Sequence, residues 1–153
     1  MTFPSSFLSA VSKSGICAAN YSLCREHPLR LDIPLAKAPA SAVLKVATGQ
    51  VSLTKLGGPG TVFQLNGLPD EVSLNFIIQG RSSVETDFAV PFGNEVQRGT
   101  FASLCNAATV AAGLAAPNPP YPRPDFRSIE ELVTILSKFE ALVRKLGAAA
   151  NGR

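Results

Sequence analysis

The chain has 153 residues, the length of one domain, and 46% of them are hydrophobic whereas only 16% are charged. The formal net charge of +3 comes from scattered Lys and Arg residues, which excludes a strongly basic nucleic-acid-binding domain. Because no run of about eighteen apolar residues occurs, the sequence also excludes a membrane-spanning helix.

Residues 1–42 have the weakest pattern in the chain. Their first apolar residues fit one or two short amphipathic turns: Phe3, Phe7, Leu8 and Val11. The prolines that follow Gly15 exclude a long helix, and residues 29–33 alternate like a brief strand. We expect an N-terminal arm or short hairpin that lies across another surface, or a loop-rich cap on the chain's own sheet.

Residues 43–92 consist of short apolar segments separated by turn residues, which predicts strands. The segments are 43–47, 51–56, 61–65, 72–79 and 83–90. Their connections are too short for parallel crossovers, so we predict an antiparallel meander of about five strands. The loop 57–60, Gly-Gly-Pro-Gly, is interpreted as a hairpin loop, because neither Gly-Lys-Ser/Thr nor a helix follows it as in a phosphate-binding loop.

The alternation within these strands separates an apolar from a polar sheet face, as in an antiparallel sheet with one solvated side. The polar face carries Ser52, Thr54, Gln64, Asn66, Ser73, Asn75, Gln79 and Arg81. Lys45 and Lys55 would add cations, although strict alternation places both with apolar neighbours. The carboxylates Glu85 and Asp87 share the polar face, and we interpret them as a solvated edge or an inter-subunit ion pair.

Single-stranded RNA binds flat sheets through phosphate contacts and hydrogen bonds to exposed bases. The predicted RNA-binding residues are Thr54, Gln64, Asn66, Ser73, Asn75, Gln79 and Arg81. Stacking aromatic residues are missing from this face, so any sequence specificity would be modest. A solvated sheet face without a ligand explains the same pattern equally well.

Two helices and a proline-rich connector are predicted in residues 93–153. A capping-box pattern at 94–97 starts the first helix, which ends near Gly113 and Pro117. Five prolines within residues 115–127 indicate a stiff spacer, or alternatively a docking motif for a proline-binding groove.

The clearest helical pattern is residues 128–147, with Ser128 as N-cap, Glu131 completing a capping box and Gly147 at the C′ position. An apolar stripe at three-four spacing needs a second surface, and we expect a sheet completed by a twin molecule. The predicted dimer interface is Leu132, Ile135, Leu136, Phe139, Leu142 and Val143. The low charge favours obligate association; a monomer with a rich core is the alternative.

Candidate catalytic and metal sites are weak. Cys24 and His27 could form a nucleophile pair, but both lie in a proline-broken segment without a group to orient the base. Cys17 would give zinc only a third ligand, at irregular spacing. We therefore expect no enzymatic activity, no cofactor and no metal. The odd cysteine count and the lack of a signal-peptide pattern favour synthesis in the cytoplasm.

The order of elements, an antiparallel sheet followed by two helices, resembles the coat proteins of single-stranded RNA bacteriophages (levivirus-like). The stretch SSVETDFAVPFGNEVQRGTFASLCNAATVAAG resembles the passage from the last strand into the first helix of such proteins. The resemblance covers roughly residues 43–146 and implies a dimer with one continuous sheet, an icosahedral shell and an inner sheet face on the RNA genome. The long N-terminal segment and the proline-rich connector depart from that pattern.

The sequence thus predicts an α+β domain, a meander sheet with two helices on one face, divided into 1–42, 43–92 and 93–153. The expected function is that of a capsid (coat) protein in the virion of an RNA bacteriophage, made in the bacterial cytoplasm, which self-assembles from dimers and encloses RNA. One alternative is a small-ligand-binding or enzymatic domain with a pocket between sheet and helices. Another is a module that docks through the connector.

Overall fold

The computed structural model describes residues 2–35, 37–80 and 82–152. Its helices are α1 Ser5–Ser14, α2 Ile16–Glu26, α3 Ala40–Ala47, α4 Phe101–Ala111 and α5 Ile129–Ala150. Its strands are β1 Leu53–Lys55, β2 Thr61–Leu65, β3 Ser73–Gln79, β4 Ser83–Phe92 and β5 Glu95–Gly99. The strands form one antiparallel sheet in the order β1-β2-β3-β4-β5. The predicted α+β class with an antiparallel meander is confirmed.

One face of the sheet forms the core together with the helices. Phe63, Phe76 and Phe88 project from three neighbouring strands and are fully buried. Phe139 of α5 lies over them, with its ring centroid 6.1 Å from that of Phe76 and 5.7 Å from that of Phe101 at the start of α4. Burying a side chain of this size contributes about 1.5–3 kcal/mol, so this aromatic cluster holds the two layers together.

Helix α5 begins as predicted. Ser128 Oγ accepts a hydrogen bond from the Glu131 N–H at 3.0 Å, which satisfies one of the free donors of the first turn. The Glu131 carboxylate accepts from the Arg127 N–H at 2.8 Å, one residue before the donor that a capping box would use. The predicted end at Gly147 is wrong, because the helix continues to Ala150. A Cβ on Gly147 would lie 3.4 Å from Val72, an ordinary van der Waals distance, so this position does not require glycine.

The N-terminal region differs from the prediction. Instead of an arm, hairpin or loop-rich cap, residues 5–26 form two helices that meet at Gly15, whose φ of 80° is left-handed. The next proline is Pro28, which leaves room for α2. Phe7, Val11 and Ile16 are fully buried in the same core as the sheet. The region is therefore part of the domain core.

Two local predictions are wrong. Residues 43–47 form most of α3, where Val43 and Ala47 are buried four positions apart on one helical face; a short apolar run does not distinguish a strand from a helix. The pattern at 94–97 does not start a helix, because Gly93 makes a turn at a φ of 62° and the chain returns as β5 along β4. The strands therefore extend over residues 53–99.

The end of the connector is fixed to the sheet. The Val84 N–H donates to the Pro124 carbonyl at 3.1 Å, and the Phe126 N–H donates to the Ser82 carbonyl at 2.9 Å. Phe126 is itself fully buried. These backbone bonds extend the sheet edge at the start of β4, so the last residues of the connector are a built part of the fold.

Candidate nucleic-acid interface

The sheet face opposite the helices, here called the open face, carries a polar row across four strands. The strand register places Thr54 of β1 beside Gln64 of β2, Gln64 beside Asn75 of β3, and Asn75 beside Asp87 of β4. Residues paired across antiparallel strands point to the same side of the sheet. The structure thus brings together three of the predicted RNA-binding residues and adds a carboxylate to them.

A second polar group lies at the β1 end of the open face. Thr54 Oγ1 donates to Asn66 Oδ1 at 3.1 Å, and Asn66 Nδ2 donates to Ser52 Oγ at 3.2 Å. All of these bonds are exposed, so a ligand could exchange with them. Ser73 lies further along β3 and pairs in register with Ala89, which separates it from Arg98 of β5.

Asn75 lies near the centre of this face. Its Oδ1 is buried between its neighbours and has no hydrogen-bond partner among the described residues. Turning this amide toward a ligand would therefore break no hydrogen bond of its carbonyl. Gln79 is exposed at the end of β3, opposite Ser83. Arg81, the remaining predicted residue, lies outside the described residues.

The charges near the open face are balanced. Arg123 pairs with the buried Glu85, which joins the connector to β4; the carboxylate is neither a solvated edge nor an inter-subunit pair. Asp87 is exposed, and Arg98 is an exposed cation. Lys45 lies on α3. Lys55 pairs in register with Phe63, on the sheet face that packs against the helices, here called the covered face. Because affinity for phosphates depends on the number of cations, this face favours base and sugar contacts over phosphate contacts.

The residues assigned to a dimer interface are covered within one chain. Leu132, Ile135, Leu136, Phe139, Leu142 and Val143 are all buried beneath the sheet and the other helices. A contact with a second molecule through these side chains would require α5 to leave its own core. In this conformation, subunit contacts have to use other surfaces.

Cys24 and His27 are not hydrogen-bonded to each other. The Cys24 thiol donates to the Pro122 carbonyl at 3.5 Å, and burial raises the pKa of this thiol to about 12. Both ring nitrogens of His27 have other partners, Glu131 Oε2 at 2.8 Å from Nδ1 and Lys138 Nζ at 2.9 Å from Nε2. A protonated thiol without a base is a poor nucleophile, so this pair lacks the geometry of a catalytic centre.

Glu131 is the centre of a polar cluster that the sequence did not reveal. Its carboxylate accepts from His27, from the Arg30 guanidinium and from the Arg127 N–H. Burial opposes ionisation, but these hydrogen bonds outweigh it, and the pKa of Glu131 lies below its ordinary value of 4.5. The cluster fastens the end of α2 to the start of α5. His27 and Glu131 are 104 positions apart, and no local pattern links them.

The described residues lack two features, a metal-binding group and a membrane-spanning helix. They contain no group of three or more His, Cys, Asp or Glu side chains arranged to hold a metal ion, and Cys17, Cys24 and His27 do not form one. Within the same ranges, no helix combines the length and apolar character needed to cross a membrane.

The comparisons with known proteins were made on the sequence and on the fold. No protein-family profile, no curated protein and no solved structure matches this chain.

Proposed function

We propose that the chain is a structural subunit, the coat protein of an RNA bacteriophage, which assembles into a shell and presents its open sheet face to RNA. The observation that carries the proposal is the polar row Thr54–Gln64–Asn75–Asp87 on a sheet face opposite all the packed helices. Such a face offers hydrogen-bond donors and acceptors from several neighbouring strands, which suits unpaired bases.

The distribution of paired polar groups supports a structural role. Glu131 and Glu85, the most deeply placed carboxylates described above, are each held by cations of the same chain. On the open face, by contrast, the hydrogen bonds of Thr54 and Asn66 are exposed, and the Asn75 carbonyl has no described partner. Unpartnered buried polar atoms also occur away from this face, at Asn20, Arg30, Asp125 and Arg127, so the support comes from the exposed hydrogen bonds of Thr54 and Asn66.

The proposal is tested by expressing the chain in a bacterial host. Size exclusion with light scattering and negative-stain microscopy should give particles of megadalton mass, with excess absorbance at 260 nm that ribonuclease treatment of opened particles removes. A small monomer or dimer without nucleic acid would overturn the proposal.

A charge variant tests the role of the open face. Gln64→Glu together with Asn75→Asp keeps the side-chain shapes and adds two carboxylates next to Asp87, which should lower the RNA content several-fold by repulsion. Gln50→Glu with Asn94→Asp is the matched control, since both residues are exposed and lie outside the strands. Equal RNA content in the two variants would show that the open face does not contact RNA.

The alternative of a small-ligand domain requires a cavity between sheet and helices. Phe76, Phe88, Phe101 and Phe139 fill that space at centroid separations of 5.5–6.1 Å. Among the described residues, a cleft of about 310 Å³ is lined by Val72, Pro91 and the C-terminal half of α5, but none of these rings lines it; a larger, mainly apolar cleft of about 520 Å³ lies between α2 and α4. The packing of the two layers therefore favours the structural role.

A further inference from the structure

The loop after α2 exposes three large apolar side chains. Leu29, Leu31 and Ile33 have 58%, 84% and 40% of their surface exposed, and Pro28 and Pro34 flank them. A single exposed leucine is ordinary in a folded protein, but three large apolar side chains exposed within five positions are unusual. Residues 28–34, here called the apolar loop, thus have the composition of a contact surface.

The loop is held in place at its base. The His27 carbonyl accepts from the Asp125 N–H at 2.8 Å, and the Arg30 guanidinium pairs with Glu131 at the start of α5. Within the loop, the Ile33 N–H donates to the Arg30 carbonyl at 3.3 Å. Because the apolar loop is fixed at its base, it loses less conformational entropy when it binds, which favours association.

An apolar cleft of about 520 Å³ lies between α2, α4 and residues 114–117, and no residue of the apolar loop lines it. Its lining consists mainly of small or apolar residues, including Cys17, Ala18, Ala108 and Ala112. Arg25 is the one charged residue of the lining. A cleft of this volume accommodates one or two leucine-sized side chains.

The two surfaces also match in charge. Asp32 lies in the apolar loop between Leu31 and Ile33 and is exposed, and Arg25 is exposed at the cleft. Neither forms a salt bridge within the described residues. Arg30, the other charge of the loop, is already paired with Glu131, which leaves Asp32 to meet a basic partner.

We propose that the apolar loop of one molecule docks in the α2–α4 cleft of a second copy, with Leu31 in the cleft and Asp32 against Arg25. Within one molecule Leu31 is 84% exposed and does not line the cleft, and Asp32 forms no salt bridge with Arg25, so the contact forms between molecules. This inference rests on the proposed function and supplies a subunit contact that leaves α5 in its own core.

Such a contact is heterologous, because two different surfaces meet head to tail, and repeats of it produce rings, shells or filaments. The area that a seven-residue loop can cover is smaller than the roughly 1,600 Å² of a standard stable interface. A single contact is therefore weak, and it becomes effective when each subunit makes several contacts at once in an assembly.

Cysteine cross-linking tests the contact directly. Leu31→Cys places a thiol in the loop, and Cys17 in the cleft supplies the second thiol. Under copper-phenanthroline, oxygen accepts the two electrons and two protons as the S–S bond forms. The full-length variant should give a ladder of trimers and longer multimers on a non-reducing gel. Leu31→Cys combined with Cys17→Ser should stop at dimers, because Cys24 and Cys105 are buried and only the loop thiols of two molecules can then join.

A charge exchange provides a second, independent test. Asp32→Arg and Arg25→Asp should each reduce the association that light scattering measures at high concentration, by up to about 5-fold for a contact worth up to about 1 kcal/mol. The double variant should restore it, since the pair is reversed rather than removed. Both residues are exposed, so folding should be unaffected.

The outcomes separate this inference from the proposed function. RNA-filled particles from the wild-type chain without a ladder from Leu31→Cys would overturn the docking contact and leave the coat proposal intact. A ladder from a chain that forms no particles would support the docking contact and overturn the coat proposal. Absence of a ladder, with saturable binding of the dye anilinonaphthalene sulfonate that a large side chain at the exposed cleft residue Ala112 (Ala112→Phe) abolishes, would overturn docking and assign the cleft to a small apolar ligand.

Discussion

The polar side chains on the two faces of the sheet differ in how they are hydrogen-bonded. On the covered face, Thr86 is buried and its Oγ1 accepts from the Phe101 N–H at 3.0 Å, which fixes the start of α4. On the open face, the side-chain oxygen Oδ1 of Asn75 on the neighbouring strand has no hydrogen-bond partner among the described residues. Polarity on the covered face thus serves the fold, whereas on the open face it is divided: Glu85 joins the connector to β4, and the hydrogen bonds of Thr54 and Asn66 are exposed to a ligand.

The largest expected effect is on the covered face. Phe139→Asp removes a ring that packs against Phe76 and Phe101 and buries an unpaired charge in its place. Loss of a buried phenylalanine alone costs about 3–5 kcal/mol, a large part of the 5–15 kcal/mol that stabilises an ordinary domain. We expect no soluble folded protein, measured as yield and as circular dichroism of refolded material.

The matched change on the open face is Ile77→Asp, which places the same charge on β3 at a half-buried position. It should lower the free energy of unfolding much less and leave soluble protein. If Phe139→Asp melted like the wild-type chain, the packing of α5 described here would be wrong. If Ile77→Asp were equally damaging, the open face would not be open.

How far the sequence predicted this fold depends on whether a pattern was local. Alternation along the strands correctly separated an apolar from a polar sheet face, and the buried Phe76 and Phe88 lie on the apolar one, because successive side chains of a strand point to opposite faces. The N-cap at Ser128 was also correct, since a cap depends on residues three positions apart. Such local patterns predict an element without information on the surface against which it packs.

The errors occurred where tertiary packing decided the outcome. Residues 43–47 have both strand-like composition and helical spacing, and contact with α5 selects the helix. The sequence at 94–97 resembles a helix start, but pairing with β4 converts it to a hairpin. Glu131 was predicted only as a capping residue, because its partners His27 and Arg30 are more than a hundred positions away.

A smaller effect is expected from Glu131→Gln, which tests the polar cluster on the helical side. The change leaves donors of His27, Arg30 and the Arg127 N–H without a charged acceptor, and each buried unpaired donor costs about 1–3 kcal/mol. Because Arg30 is one-third exposed, we expect a total near the lower end of that range. Thermal unfolding at neutral pH measures it.

The pH dependence has a definite sign. The folded-state pKa of Glu131 lies below its ordinary value of 4.5, so the carboxylate stabilises the fold fully above that pH and loses its contribution as the pH falls through the lowered pKa. The difference in Tm between the wild type and Glu131→Gln should shrink below about pH 4.5. Glu140→Gln, which breaks an exposed pair with Arg144, should show a small difference at every pH. A difference for Glu131→Gln that stays constant into acid would contradict the cluster.

The smallest expected effect on stability is that of Asn75→Ala on the open face. The side-chain oxygen Oδ1 of Asn75 has no hydrogen-bond partner among the described residues, so the substitution breaks no hydrogen bond of this atom. We therefore expect the free energy of unfolding to change by less than about 0.5 kcal/mol. Thr86→Val is the counterpart on the covered face, and it should cost about 1–3 kcal/mol because the Phe101 N–H is left unpaired. Chemical denaturation measures both, and RNA retained on filters should fall for Asn75→Ala alone. If Asn75→Ala were the more destabilising of the two, the polar row would be a structural element and its assignment to RNA would lose its basis.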